Sequence, residues 1–275
     1  MQEKLLRYYS QHCSLFLENF NQALSGFDNE AVHDMRVAVK RLRAINLLLE
    51  RLFPGKFDAV ENEMKIRELF RISGRIRDTQ VQQQLLSGYI SQTGATFSGY
   101  QLYLKKVEQK SIKKFNKCLA ETDAEEALRN MQKIASGLIL ASPDEAINLQ
   151  IILFVSELMD SSRSMCQNQT HDENLHEIRR KLKQCHYLLS LFDKDDQNLL
   201  LLNLTVKKLD KVSELLGDWH DQVVAIEMLK KFINQAGEKD ISGFHRYLRL
   251  MNNFSGKRHI QHRKIMNYFE EKLDF

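Results

Sequence analysis

Apolar residues recur along this chain at steps of three and four, the repeat of an α-helix with one face turned to a core. Residues 29–53 show it best: Val32, Met35, Val39, Leu42, Ile45 and Leu49 fall on one stripe. The same spacing predicts helices over 3–25, 57–88, 98–119, 143–168, 172–193, 196–235 and 240–274. Pro54-Gly55 ends the second helix. Ser142-Pro143 opens another, because a helix start has no N–H bond for proline to remove. Residues 87–99, SGYISQTGATFSG, carry the strongest loop signal. No segment shows a convincing strand period, so the pattern predicts an all-α protein.

A shift of 143 residues lays the chain on itself. His33 falls on His176, Arg36 on Arg179, Lys40 on Lys183, Gly74 on Gly217 and Asp78 on Asp221. Apolar positions follow, with Val32 on Leu175, Met35 on Ile178 and Val39 on Leu182. One ungapped offset that matches both classes of residue implies a duplication. The expected architecture is two pseudo-symmetric antiparallel helical bundles of about four helices each. Residues 1–120 form the first half and 142–275 the second, joined by an acidic stretch, 121–141, that contains a linking helix.

Composition excludes several classes. A chain of 275 residues that is 43% apolar can build a substantial core, so it is not disordered throughout. With 2 prolines and 11 glycines it has too few turn residues for an all-β fold. The longest apolar runs, at 151–155 and 199–204, are far short of the ~20 residues of a membrane span. The opening MQEKLLRYYSQHC has no apolar leader core. Cys13, Cys118, Cys166 and Cys185 are scattered and read as reduced thiols of a cytoplasmic protein.

The net charge of +4 hides its distribution. Residues 31–118 carry 17 basic and 8 acidic side chains, whereas 119–175 carry 3 and 10. In the basic block, His33, Arg36, Lys40 and Arg43 fall within about an 80° arc of one helix, with Arg41 beside them. The second half repeats the stripe with His176, Arg179, Arg180, Lys183 and His186. Other positions basic in both halves are Lys65 and Lys208, Arg77 and His220, Lys106 and Arg249, and Lys114 and Lys257. A solvated face needs charge somewhere, but not the same charge at the same place twice. Such rows suit a polymer of regularly spaced phosphates: Arg offers forked donors, Lys a point charge and His a donor tunable near neutral pH. The lysines at 105, 106, 110, 113, 114 and 117 extend the basic surface or form an ordinary solvated face.

VHDMRVAVKRLR at 32–43 and LHEIRRKLKQCHY at 175–187 resemble the signature segments of CHAD domains, the conserved histidine α-helical domains. GRIRDTQV at 74–81 and GDWHDQVV at 217–224 are similar to the paired Gly-and-Asp segments of that family. The resemblance covers essentially the whole chain. It implies a basic groove that binds inorganic polyphosphate, no intrinsic enzymatic activity and no cofactor. It also implies a cytoplasmic place, on polyphosphate granules or beside a separate polyphosphate- or triphosphate-processing enzyme. The eighteen basic residues of the two stripes and the four matched pairs are the expected polyphosphate ligands. The second half departs from the first, with His186 for Arg43, Gln184 for Arg41, His220 for Arg77 and Asp218 for Arg75. Charge counting therefore gives Arg36 and Lys40 more weight in binding than Arg179 and Lys183.

Two other readings stay open at this stage. Glu30-x-x-His33 and Glu173-x-x-His176 match the Glu-x-x-His spacing of di-iron bundles, although Arg36 and Lys40 on the same face would repel a dication. Nonspecific nucleic-acid binding is the other. The stripes lack interleaved aromatics for base stacking, so sequence-specific reading is not expected. Trp219 aligns with Ile76 and reads as core. Asp78 and Asp221 read as orienting ion partners rather than catalytic bases.

Overall fold

The structure, a computed structural model, describes residues 1–167, 172–193, 204–236 and 243–273. Among these, every regular element is helical: α1 Gln2–Gly26, α2 Asn29–Leu52, α3 Ala59–Thr93, α4 Ser98–Ala120, α5 Ala124–Leu140, α6 Asp144–Gln167, α7 Asp172–Leu189, α8 Val206–Ala236 and α9 Phe244–Tyr268. A single π-turn, Phe269–Leu273, follows α9. The expected starts of the last two helices, at 196 and 240, lie outside the described residues, as does the expected end at 274.

Local chemistry sets several boundaries. Asp28, Asp58 and Asp123 cap α2, α3 and α5, each accepting from main-chain N–H groups of the first turn. The expected loop over 87–99 is corrected by the structure: α3 runs on through Ser87 and Gly88 to Thr93. Leu86 is buried there, and Tyr89 and Ile90 pack beside it, so tertiary contact outweighs the turn-forming residues. Gly94, at φ 66°, then ends the helix in the left-handed conformation that glycine adopts without strain.

The 143-residue shift carries α1, α2, α3 and α4 onto α6, α7, α8 and α9. Within each half, successive helices pack as pairs, and α2–α3 and α7–α8 pack as well. One large core unites both halves, from Leu5, Tyr9 and Phe16 of α1 to Leu209, Leu216 and Trp219 of α8. Helix α5 is part of that core through Ala127, Leu128, Met131 and Ile139, against α1, α2 and α3. A second core joins the far ends of the two long hairpins: Phe97, Tyr100 and Leu104 meet Leu229, Phe232 and Tyr247. Each such buried side chain contributes about 1.5–3 kcal/mol.

The halves are also joined directly. Arg51 pairs with Glu157 at 2.5 Å and lies over the Phe154 ring. Gln82 donates to the Asp221 carbonyl at 3.2 Å. Cys13 and Cys185 are buried, which pushes both thiols up to about 12. Among the described residues, no single helix is long and apolar enough to cross a membrane.

A cationic cleft as the candidate functional site

Helices α2, α3, α7 and α8 enclose a cleft of about 1160 Å³. It exists because each signature helix buries one stripe and turns the other toward its repeat partner. On α2, Val32, Met35, Val39, Leu42 and Ile45 go into the core. On α7, Leu175, Ile178, Leu182 and Cys185 do the same. The opposite faces then line the cleft with His33, Arg36, Lys40, Arg41 and Arg43 from α2, and His176, Arg179, Arg180, Lys183 and His186 from α7. Arg77 of α3 and His220 of α8 complete the expected set within the cleft.

Six expected residues lie elsewhere. Lys65 is exposed on α3, Lys106 and Lys114 are exposed on α4, and Arg249 is exposed on α9. Lys208 is half-buried on α8. Lys257 borders a separate pocket of about 210 Å³ with Asp218 and Gln261. Conversely, Arg67, Lys181, Phe70, Tyr187 and Asp210 line the cleft without having been singled out in the sequence. The requirement of like charge in both halves excludes Arg67, whose counterpart is Asp210, and Lys181, whose counterpart is Ala38.

The first-half arginines are tied to the protein. Arg36 donates to the Phe70 carbonyl at 2.6 Å and to Ser73 Oγ at 3.0 Å. Its guanidinium also sits 4.4 Å from the centre of the Phe70 ring. Arg43 lies 4.3 Å from the same ring and donates from Nε to Glu63 at 2.5 Å. Glu63 accepts from Asn46 as well, and Asn46 accepts from Tyr9, so a polar chain runs from the cleft into the core. Arg77 donates to the Asn29 carbonyl at 3.2 Å.

The second half is arranged differently. Arg179 has a buried Nε with no partner, and neither it nor Lys183 forms a hydrogen bond or ion pair among the described residues. His186 pairs with Asp210 at 2.9 Å. His176 and His220 share a hydrogen bond between their Nδ1 atoms at 3.2 Å, one ring donating and the other accepting. Burial, Arg179 and His176 hold His220 down to about 3, so that ring is neutral near pH 7. The buried Trp219 ring lies 4.7 Å from His176.

Where the two stripes meet, like charges crowd. Burial, followed by Arg36, Arg179 and Lys183, lowers Lys40 to about 7. Burial and Arg179 lower Lys183 to about 8. The carboxylates of Asp78 and Asp221 face these cations, yet burial still raises both, Asp221 to about 6. Like charges are therefore held close together in the cleft at an electrostatic cost. Glu30 and Glu173 are exposed in the first turns of α2 and α7. Among the described residues no group of three or more His, Cys, Asp or Glu is placed to hold a metal.

A family profile described as the CHAD domain matches residues 7–230. No curated protein matches the chain by sequence. Among solved structures, the chain is similar to the crystal structure of the CHAD domain from the plant Ricinus communis. The TM-score is 0.72 at 18% identity, over 98% of this chain and 92% of the plant one.

Proposed function

The chain belongs to the CHAD domain family, and from that premise we propose that it binds inorganic polyphosphate in the cleft between α2, α3, α7 and α8. One observation carries the reading: Lys40, Arg179 and Lys183 converge in one cleft from both repeats, and none of them has an ion-pair partner among the described residues. A row of phosphates supplies the missing negative charge and accepts from the guanidinium and ammonium donors. Arg41 stands over Tyr187 at 5.7 Å, which places a further cation at the junction of the halves. The reading is of a binder rather than a catalyst. The fields of Asp78 and Asp221 reach Arg36 and Arg179, where they offset part of the positive charge without forming ion pairs among the described residues. Bound polyphosphate would bring the protein to polyphosphate deposits in the cytoplasm or to a separate enzyme that processes the polymer.

The test is lysine protection. An amine-reactive probe is applied with and without short-chain polyphosphate, and modification is read by mass spectrometry. The reading expects protection at Lys40 and Lys183 and none at the exposed Lys65 and Lys133. Unchanged labelling at Lys40 and Lys183 under saturating polymer would contradict it.

A further inference from the structure

The two sides of the cleft carry opposite charge on their outer flanks. On α3, Arg67, Arg71 and Arg75 follow one another at steps of four, so they form one stripe. Arg67 lines the cleft, and all three are exposed. The corresponding positions on α8 are Asp210, Glu214 and Asp218, and Asp210 lines the cleft as Arg67 does.

The basic stripe leads to a second surface. Arg71 donates from Nε to Glu68 at 2.7 Å, and the fields of Arg75 and Lys114 also reach that carboxylate. Lys114 lies with Lys110, Lys113 and Lys117 on the outer face of α4, a helix with six exposed lysines. None of the four has a hydrogen-bond or ion-pair partner among the described residues. The single carboxylate of α4, Glu108, is turned to Gln83 at 2.8 Å. Tyr100, Leu104 and Phe115 bury the opposite face, so packing explains that side of the helix but does not require unbalanced charge on the other. From Lys110 to Lys117 this face runs about 10 Å at 1.5 Å per residue. On α9 the counterparts of Lys110, Lys113 and Lys117 are Asn253, Gly256 and Ile260, and of the four only Lys114 has a basic counterpart, Lys257, so the lysine row is not repeated there.

We infer that a long polyphosphate leaves the cleft on one side only, over Arg67, Arg71 and Arg75, and continues along the lysine face of α4. This rests on the cleft reading and adds a length preference and a direction to it. The acidic flank of α8 repels the polymer at the other end. Short chains occupy the cleft alone, while long chains gain the outer contacts.

The experiment compares short and long polyphosphate on three proteins: the wild type, a variant with Lys110→Gln, Lys113→Gln, Lys114→Gln and Lys117→Gln, and a control of equal charge loss. The control carries Lys133→Gln, Lys207→Gln, Lys230→Gln and Lys231→Gln, all exposed and off the track. The α4 variant should bind long chains roughly 10–100-fold more weakly, with a salt slope lower by about 3. Short-chain affinity should be kept, and the control should keep both. Equal long-chain losses in the two variants, or none in either, would overturn the track. Absent short-chain binding with lysine-dependent long-chain binding would keep the track and overturn the cleft reading. No binding of either length would overturn both.

Discussion

Arg36 and Arg179 occupy the same position in the two repeats but have different partners. Arg36 is held by the Phe70 carbonyl and Ser73, whereas the buried Nε of Arg179 has no partner. The residue that receives Arg36 is not repeated, because the counterpart of Ser73 is Leu216 and that of Phe70 is Ser213. The two matched positions thus hold one structural arginine and one available arginine.

Their substitutions should separate accordingly. Arg36→Ala is expected to lower folding stability by about 1–3 kcal/mol, the scale of hydrogen bonds from a charged donor. Arg179→Ala should leave stability unchanged or higher and weaken polyphosphate binding more than Arg36→Ala does. That ordering inverts, for the arginines, the ranking given by charge counting. Urea melts and binding titrations on both variants check it.

The paired glycines give a second contrast. A Cβ at Gly74 would sit 3.1 Å from Arg36 Nη1, while at Gly217 nothing lies within 4 Å. Gly74→Ala should displace the Arg36 guanidinium and destabilise the fold. Gly217→Ala should raise stability by up to about 1 kcal/mol, the helix-interior difference between the two residues. Because Gly217 lines the cleft, the same change should reduce polymer affinity. Thermal melts and titrations of the two variants measure both effects.

Glu63 anchors the polar chain that ends at Tyr9. Removing it with Glu63→Ala strands Arg43 and Asn46 and should cost about 2–4 kcal/mol, since Arg43 keeps some solvent contact. Glu63→Gln, which retains an acceptor, should lose less. Denaturant unfolding of the two variants distinguishes these outcomes.

Proton binding by the cleft lysines gives a pH signature. Lys40 and Lys183 titrate at about 7 and about 8, below their ordinary 10.5. The cleft gains positive charge as pH falls through that range, while internal phosphates stay ionised. Polyphosphate affinity should therefore rise from pH 9 to pH 6, and Lys40→Gln should flatten the profile. The contribution of these groups to folding has the opposite trend. Between pH 7 and 10.5 the unfolded chain holds more protons on them, so their share of stability increases with pH. Titrations and unfolding at pH 6, 7.5 and 9 read both slopes.

The fold was legible because apolar spacing and the internal repeat report the same helices independently. The segment around Gly88 was misread because its turn-forming residues are local, while the contacts of Leu86 and Phe97 that hold α3 helical come from the second core. That the α2 and α7 stripes face away from the core was legible for the same reason as the fold: each lies opposite a buried apolar stripe. The offset also selected Lys65, Lys106 and Arg249, since it conserves position on a helix without saying what that face meets. It missed Arg67 because the repeat is antisymmetric in charge there. Trp219 was rightly read as core, but its contact with His176 depends on the approach of α8 to α7 and has no sequence signal.

The central claim is tested most directly by titrating the protein with long-chain polyphosphate over a series of salt concentrations, beside single-stranded DNA of matched charge. The account predicts tight polyphosphate binding, much weaker DNA binding, and loss of that preference in the Arg179→Ala, Lys183→Ala double variant. Equal and weak binding to both polymers, unchanged in the double variant, would contradict it and reduce the cleft to a generic basic surface.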